Sequence, residues 1–355
     1  MNHKPFIIPV FLPHIGCPHK CVFCNQTVIT GEKRKIPLPG EISLCINRFL
    51  DYKGEKRRRV QIAFYGGNFL GLKQDDITSL LYEAAKFVTE ERVESIRFST
   101  RPDSIDDERL DILKEFPVAT IELGVQSMDD DVLAMSRRGH TSVDTEKAVY
   151  LLKKRDYEIG LQMMVGLPCD DEAGALFTGS RIVEMKPDFV RIYPTVVLDG
   201  SLLADWYKKG EYVPLPLEQC VTLVKNLYLL FKKNGINVIR MGLQASEGLD
   251  KESTMLAGPY HPAFGDLVYS EIFLDKAVSI LESKKNDRIS IRVNPKNISK
   301  MRGLKNRNIE ILKTKFHIRL IEIIPDMTLE EDMMVIEDTL TVEPLRHKGT
   351  KEGYD

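Results

Sequence analysis

Six apolar, β-rich runs alternate with six helix-patterned segments over the first two thirds of the chain, and this alternation limits the fold more than any other feature. The runs are Phe6–Leu12, Val60–Tyr65, Ser95–Ser99, Thr120–Val125, Glu158–Val165 and Phe189–Tyr193. The helical patterns are Glu41–Tyr52, Asp75–Thr89, Asp106–Phe116, Thr145–Arg155, Ala173–Met185 and Leu217–Asn234. Near-continuous apolar strands joined through helices predict a parallel sheet wrapped by helices. With 355 residues there is room for one large α/β domain and a small second one.

The loop that follows the first run holds Cys17, Cys21 and Cys24, spaced Cys-x3-Cys-x2-Cys. Three thiolates so placed can hold three corners of a cubane iron–sulfur cluster. A cluster with four cysteine ligands usually carries electrons. With three, one iron stays open, as an open position on zinc marks a catalytic site. The competing reading is a zinc knuckle completed by His14 or His19. Zinc sites usually come as two close pairs, and no second pair is present. Of the remaining cysteines, Cys45 and Cys220 lie in helical patterns and read as buried core thiols. Cys169 follows Gly166-Leu167-Pro168 at a strand end and is a candidate to face the site.

Composition adds bounds. Hydrophobic content of 43% and charge of 29% describe a globular chain, and a net charge of −2 gives no global signal for nucleic acid while leaving a local patch open. The short apolar start reads as a strand, not as a signal peptide, and no run is long enough to span a bilayer. The six cysteines fit a reducing cytosol, so a cytoplasmic location is expected.

The cysteine loop, with Phe23 just before its last cysteine, resembles the radical S-adenosylmethionine (SAM) superfamily. Within it, several strand-end motifs resemble the Elongator catalytic subunit. These are Ser99-Thr100-Arg101-Pro102-Asp103, Glu122-Leu123-Gly124-Val125-Gln126-Ser127, Arg138-Gly139-His140-Thr141 and Arg191-Ile192-Tyr193-Pro194-Thr195. Gly166-Leu167-Pro168 resembles oxygen-independent coproporphyrinogen III oxidase. The resemblance spans about residues 5 to 245 and implies a partial (β/α)6 TIM-like barrel with a small C-terminal α/β extension. It implies a [4Fe-4S] cluster on Cys17, Cys21 and Cys24 and SAM as cofactors. SAM-binding positions carried over from the family are Phe23, Gly66, Gly67, Asn68, Ser99, Gln126, Arg138 and Gln162. Ser99 stands where the family has glutamate, so the role of that glutamate is either missing or rebuilt. Arg101 and Asp103 read equally as a structural turn, and Tyr193 equally as a buried aromatic.

The resemblance weakens in two places. Elongator's first cysteine gap is much longer, and the region after the barrel shows no glycine-rich acyl-CoA loop. The expected organisation is a barrel over residues 1–245, a connecting loop and helix over 246–284, a small α/β domain over 285–345 and a flexible tail over 346–355. In the small domain Ile289–Val293 and Phe316–Ile324 read as strands and Ser299–Lys313 as a helix. The basic stretch Met301–Ile309, with Gly303 inside it, resembles the KH RNA-binding module, though Asn306 stands where its second glycine belongs. The loop Gly258–Gly265 either closes over a substrate or joins barrel to tail.

The functional expectation is a radical SAM enzyme that cleaves SAM reductively to a 5′-deoxyadenosyl radical and abstracts hydrogen from an unknown substrate, with RNA, tRNA included, as the favoured substrate class. One alternative is the same chemistry on a tetrapyrrole-like or other small metabolite. Another is a non-catalytic metal- or cluster-containing RNA-binding protein. Expected partners are RNA and a low-potential electron donor such as flavodoxin or ferredoxin, with no membrane.

Overall fold

The computed structural model describes residues 5–27, 31, 35–52, 59–244, 254–283 and 287–338. The chain divides into two compact units, Met1–Gly265 and Asp266–Asp355. The expected tail, 346–355, lies outside the described residues.

The first unit is built on a seven-stranded sheet in the order β1-β2-β3-β4-β5-β6-β8. Its strands are β1 Phe6–Leu12, β2 Val60–Gly66, β3 Ser95–Thr100, β4 Val118–Gln126, β5 Glu158–Val165, β6 Phe189–Pro194 and β8 Asn237–Met241. All neighbours are parallel. The principal helices between them are α1 Pro39–Tyr52, α2 Gln74–Thr89, α3 Asp107–Leu113, α4 Asp130–Met135, α5 Ser142–Lys153, α6 Glu172–Met185, α7 Leu202–Lys208 and α8 Leu217–Lys233. Two short strands, β7 Val197–Leu198 and β9 Met255–Ala257, pair antiparallel apart from the main sheet. This is the partial TIM-like barrel, with one strand more than the six expected. Strand β8 escapes notice in the sequence because it is five residues long, carries Arg240 and is only half-buried.

One residue from each of β1 to β6 is fully buried on the helix side: Ile8, Ile62, Ile96, Ile121, Leu161 and Ile192. Each such side chain stabilises the fold by about 1.5–3 kcal/mol. The expectation of near-continuous apolar strands needs correction. Successive strand residues point to opposite faces, and Gln61, Arg97, Glu122, Gln162 and Arg191 occupy the other one. The face away from the helices is therefore polar.

The second unit has a three-stranded sheet in the order β11-β10-β12. Its strands are β10 Arg288–Val293, β11 Leu320–Pro325 and β12 Met334–Asp338; β10 and β11 are parallel and β12 is antiparallel. Its helices are α9 Phe264–Leu281, on which the unit boundary falls, α10 Ile298–Arg302 and α11 Arg307–Phe316. Two sequence expectations fail here. The single helix Ser299–Lys313 is broken at Gly303 and at Lys305 and Asn306, whose φ angles are positive. The strand expected from Phe316 begins only at Leu320, because α11 runs to Phe316 and His317 caps it in the left-handed conformation.

Candidate functional site: a cysteine loop over a polar sheet face

The cysteine loop is tied to three distant segments. Val22 N–H donates to the Ser136 carbonyl (3.2 Å) and its own carbonyl accepts from Leu203 N–H (2.8 Å). Asn25 Nδ2 donates to the Asp199 carbonyl at 2.7 Å. Val22 is buried with Val197, Leu203, Ala204 and Tyr212, and Phe23 packs against the same cluster. Burial first, then the negative charges of Cys21 and Cys17, push the Cys24 thiol up to about 12, while Arg138 and a backbone hydrogen bond at Gln26 act the other way. The three sulfurs thus feel one another. Among the described residues, no three His, Cys, Asp or Glu side chains converge closely enough to share a single metal ion. A cubane places its thiolates on different irons. The histidines proposed to complete a zinc knuckle have other surroundings. His14 Nε2 accepts from Gln26 N–H at 2.8 Å, and the His19 ring lies over Gly139.

Asn68 seats this loop on the sheet. Its Nδ2 donates to the Gly16 carbonyl (3.0 Å) and to Ser104 Oγ (2.8 Å). Its Oδ1 accepts from Thr100 Oγ1 (2.7 Å) and Arg101 N–H (3.0 Å). A side-chain amide has two donors and a two-lone-pair acceptor, so Asn68 is saturated by the protein. Its side chain holds the cysteine loop to the sheet. Gly67 is required by close approach: a Cβ there would lie 2.1 Å from the Ile15 carbonyl oxygen and 2.6 Å from that of Leu12. Gly67→Ala is expected to cost about 1–3 kcal/mol and to lower iron uptake, read by urea unfolding and iron assay. A stability equal to wild type would contradict the packing. The Gly66 carbonyl accepts from the Gln26 amide.

The C-terminal end of β4 meets the cysteine loop. Arg138 is buried; its Nη1 donates to Cys21 Sγ at 3.3 Å and its Nη2 to the Gly124 carbonyl at 2.5 Å. Its Nε is buried with no hydrogen-bond partner among the described residues. Gln126 is buried at a positive φ of 69°, where β4 shifts register against β5. Non-glycine residues held this way gather at functional sites. Arg101 makes a two-pronged pair with Asp103 (2.9 and 2.9 Å) and also donates to the Arg138 carbonyl. The structural-turn reading of Arg101 and Asp103 is the one the geometry favours. His140 is buried, and burial, then Arg138 and Arg101, push its imidazole down to about 3, so it stays neutral.

Deeper on the same face lies a charge network that sequence reasoning missed. The buried carboxylate of Glu122 receives Arg97 Nη2 at 2.7 Å, Arg97 Nε at 3.1 Å and Tyr65 OH at 2.9 Å. Arg191 Nη2 donates to it at 3.0 Å, and Gln162 Nε2 at 2.9 Å. Arg191 Nη2 also donates to Tyr65 OH at 3.0 Å. Burial alone would raise the Glu122 carboxyl; Arg191 and Arg97 outweigh it and hold the carboxyl below its ordinary range. Burial and then Glu122 push the Tyr65 hydroxyl up, so it remains a donor. Gln162 Nε2 also donates to Ser99 Oγ at 3.2 Å, and its amide oxygen has no partner among the described residues. The available signal was alternation: Arg97, Glu122 and Arg191 are charges inside strands whose other face is apolar.

The other cysteines separate clearly. Cys220 is buried, and burial pushes its thiol up to about 12. Cys45 is only half-buried, against expectation, with its thiol toward the Pro9 carbonyl at 3.6 Å. Cys169 is exposed and lines a cavity of about 520 Å³ with Asp170, Trp206 and Tyr212.

Fold and site together define a class: a partial parallel barrel whose first strand leads into a three-cysteine loop above the strand ends. The radical SAM superfamily model matches residues 12–176, and the Radical_SAM C-terminal domain model matches residues 187–273. An uncharacterized protein of Methanocaldococcus jannaschii is 30% identical over 235 residues, covering 63% of this chain and 71% of that protein. The chain belongs to the radical SAM superfamily, a family of enzymes that use a [4Fe-4S] cluster and SAM. A tRNA uridine(34) acetyltransferase of Dehalococcoides mccartyi is 26% identical over 255 residues, covering 63% of this chain and 56% of that protein. The chain thus spans little more than half the length of that relative. The archaeal Methanocaldococcus infernus Elp3 structure superposes with a TM-score of 0.59 at 19% identity, covering 78% of this chain and 64% of that one, and shows the shared fold.

The residues present fit the two cofactors. Three sulfurs share one loop, and the buried Arg138 Nε beside them lacks a protein acceptor among the described residues. Among the described residues no helix is long and apolar enough to cross a membrane.

Proposed function

We propose that Cys17, Cys21 and Cys24 hold the cluster, that SAM binds between this loop and the ends of β4 and β5, and that the substrate is RNA, with tRNA first. The observation that carries the site is Arg138, which reaches both Cys21 Sγ and the Gly124 carbonyl, two residues before Gln126. The same side chain thus couples the cysteine loop to the strand end. Bound together, cluster and SAM supply one-electron cleavage to a 5′-deoxyadenosyl radical; the protein supplies orientation and exclusion.

Each residue has a role in this reading. Arg138 offers its Nε, without a partner among the described residues, to the carboxylate of SAM. Gln126, fixed by its left-handed backbone, and the amide oxygen of Gln162 offer polar contacts. Ser99 holds the Gln162 amide and so rebuilds through a neighbour what the family's glutamate does directly. Gly66 and Gly67 bring backbone close to the loop. Phe23 braces the loop against the Val197–Leu203 cluster. A flavodoxin or ferredoxin is the electron donor we assign.

Support for RNA comes from the relatives named for tRNA uridine modification. The test has two stages. Anaerobic reconstitution is expected to load about four irons per chain with a visible charge-transfer band, and reduction with SAM to release 5′-deoxyadenosine. Bulk tRNA from cells lacking the protein is then expected to raise that release and to yield a new modified nucleoside by mass spectrometry. Absence of 5′-deoxyadenosine would remove the site assignment. Release stimulated by a tetrapyrrole or another small metabolite, and not by RNA, would remove the substrate assignment alone.

A further inference from the structure

The second unit falls almost wholly outside the matched family regions, which end at residue 273. Its charge is sharply divided. Residues 288–319 carry ten Lys or Arg and a single acid, Glu310, a net of +9 in a chain whose total is −2. Residues 320–338 carry seven acids and no Lys or Arg. Part of the excess is neutralised within the unit. Arg292 pairs with Asp326 and Glu337 (3.2 Å to the latter), Lys296 with Glu331 at 2.5 Å, Arg319 with Asp287 at 2.6 Å and Lys313 with Glu310 at 3.4 Å. All but Lys313 lie on the strand side or in its loops.

The helical side is different. Between α10 and α11 the turn Gly303-Leu304-Lys305-Asn306 carries Lys305, and Arg302 immediately precedes it; both are exposed and form no ion pair among the described residues. The turn is held rigid from beneath. Buried Asn308 donates to the Ser270 carbonyl (2.8 Å) and to Ser270 Oγ (3.1 Å), both on α9. Gly303 has φ +72°, and a Cβ there would lie 2.9 Å from Asn308 Oδ1, so the anchored turn needs glycine. At its apex Leu304 is 54% exposed. The adjoining strand β11 pairs only with β10 among the described residues and exposes Leu320 and Ile324 with Glu322 between them. A basic turn between two short helices, in a β-α-α-β unit with Leu304 exposed at the turn's apex, suits a polyanion that also presents flat apolar faces. Single-stranded nucleic acid has both. A G-x-x-G turn in such a place clamps nucleotide backbone, and here Asn306 reaches by its own left-handed backbone (φ 63°) the conformation a second glycine would supply.

We propose that this turn is a second, non-catalytic site that grips the phosphodiester backbone of single-stranded RNA through Arg302 and Lys305. The proposal goes beyond the barrel reading and does not need SAM or cluster.

The test is fluorescence anisotropy of a short labelled single-stranded RNA with the reconstituted full chain in the absence of SAM. The double variant R302E/K305E is expected to weaken binding on the order of tenfold and to flatten the dependence of log Kd on log salt by about 0.7 for each phosphate no longer gripped. The charge-reversal control K154E, at the exposed end of α5 in the first unit, is expected to leave both unchanged. R302A/K305A, with smaller surface disturbance, is expected to fall between. Unaltered SAM cleavage without substrate in R302E/K305E separates this result from failure of the barrel chemistry. Equal weakening by K154E, no change in R302E/K305E, or binding of duplex RNA as tight as of single strand would each overturn the proposal.

Discussion

Cys21→Ser is expected to remove the reaction outright. Loss of a partner outside a metal's ligand set already costs about 10–100-fold in affinity or activity, so loss of a ligand sets at least the upper end of that range. Iron content after anaerobic reconstitution is expected to fall well below wild type and 5′-deoxyadenosine to fall to background. Cys21 is the sharpest choice because its sulfur also receives Arg138 at 3.3 Å, so one substitution removes both a ligand and the link to β4. Cys169→Ser supplies the contrast. Cys169 is exposed and lies outside the Cys-x3-Cys-x2-Cys spacing, and iron and cleavage are expected to stay at wild-type values. Full iron loading in Cys21→Ser, or loss in Cys169→Ser alone, would move the cluster elsewhere.

Glu122→Gln is the second large effect, and it acts on stability. Glu122 is fully buried between Arg97 and Arg191, themselves nearly buried. Neutralising it leaves two cations facing each other without a counter-charge. Breaking a buried pair in this way costs about 3–5 kcal/mol, to be read as the shift in urea unfolding at neutral pH. The pH dependence follows from the direction of its shift. A carboxyl held below its ordinary range contributes stability above that range and loses it as pH falls through the folded-state value. Wild type and Glu122→Gln are therefore expected to converge in acid and diverge toward neutrality. A difference below about 1 kcal/mol at neutral pH would mean that the arginines are compensated from elsewhere.

The elements were easier to read than their faces. Ile62, Ile96 and Ile121 announce strands because β-branched residues crowd there, and that part of the pattern needs no tertiary knowledge. Arg97, Glu122 and Arg191 look like isolated charges in sequence; only the pleat and the register place them together, 25 and 69 positions apart along the chain. Asn68 shows the converse. A motif position suggested a ligand, whereas its four protein partners come from residues 16, 100, 101 and 104, none of which the motif specifies. The break at Gly303–Asn306 was only half-legible: Gly303 and the G-x-x-G resemblance mark the place, but nothing about Lys305 and Asn306 in sequence announces the left-handed backbone the turn imposes on them. Cys17, Cys21 and Cys24 stand out without tertiary knowledge, since closely spaced cysteines are a signal for metal or cluster binding at the level of sequence.

The ties that Val22 and Asn25 make to Ser136, Asp199 and Leu203 set an order of events in biosynthesis. The segment proposed to receive iron is translated well before these anchors. On the proposed cluster assignment, the full set of ties around the thiols exists only once the chain has been made past residue 203.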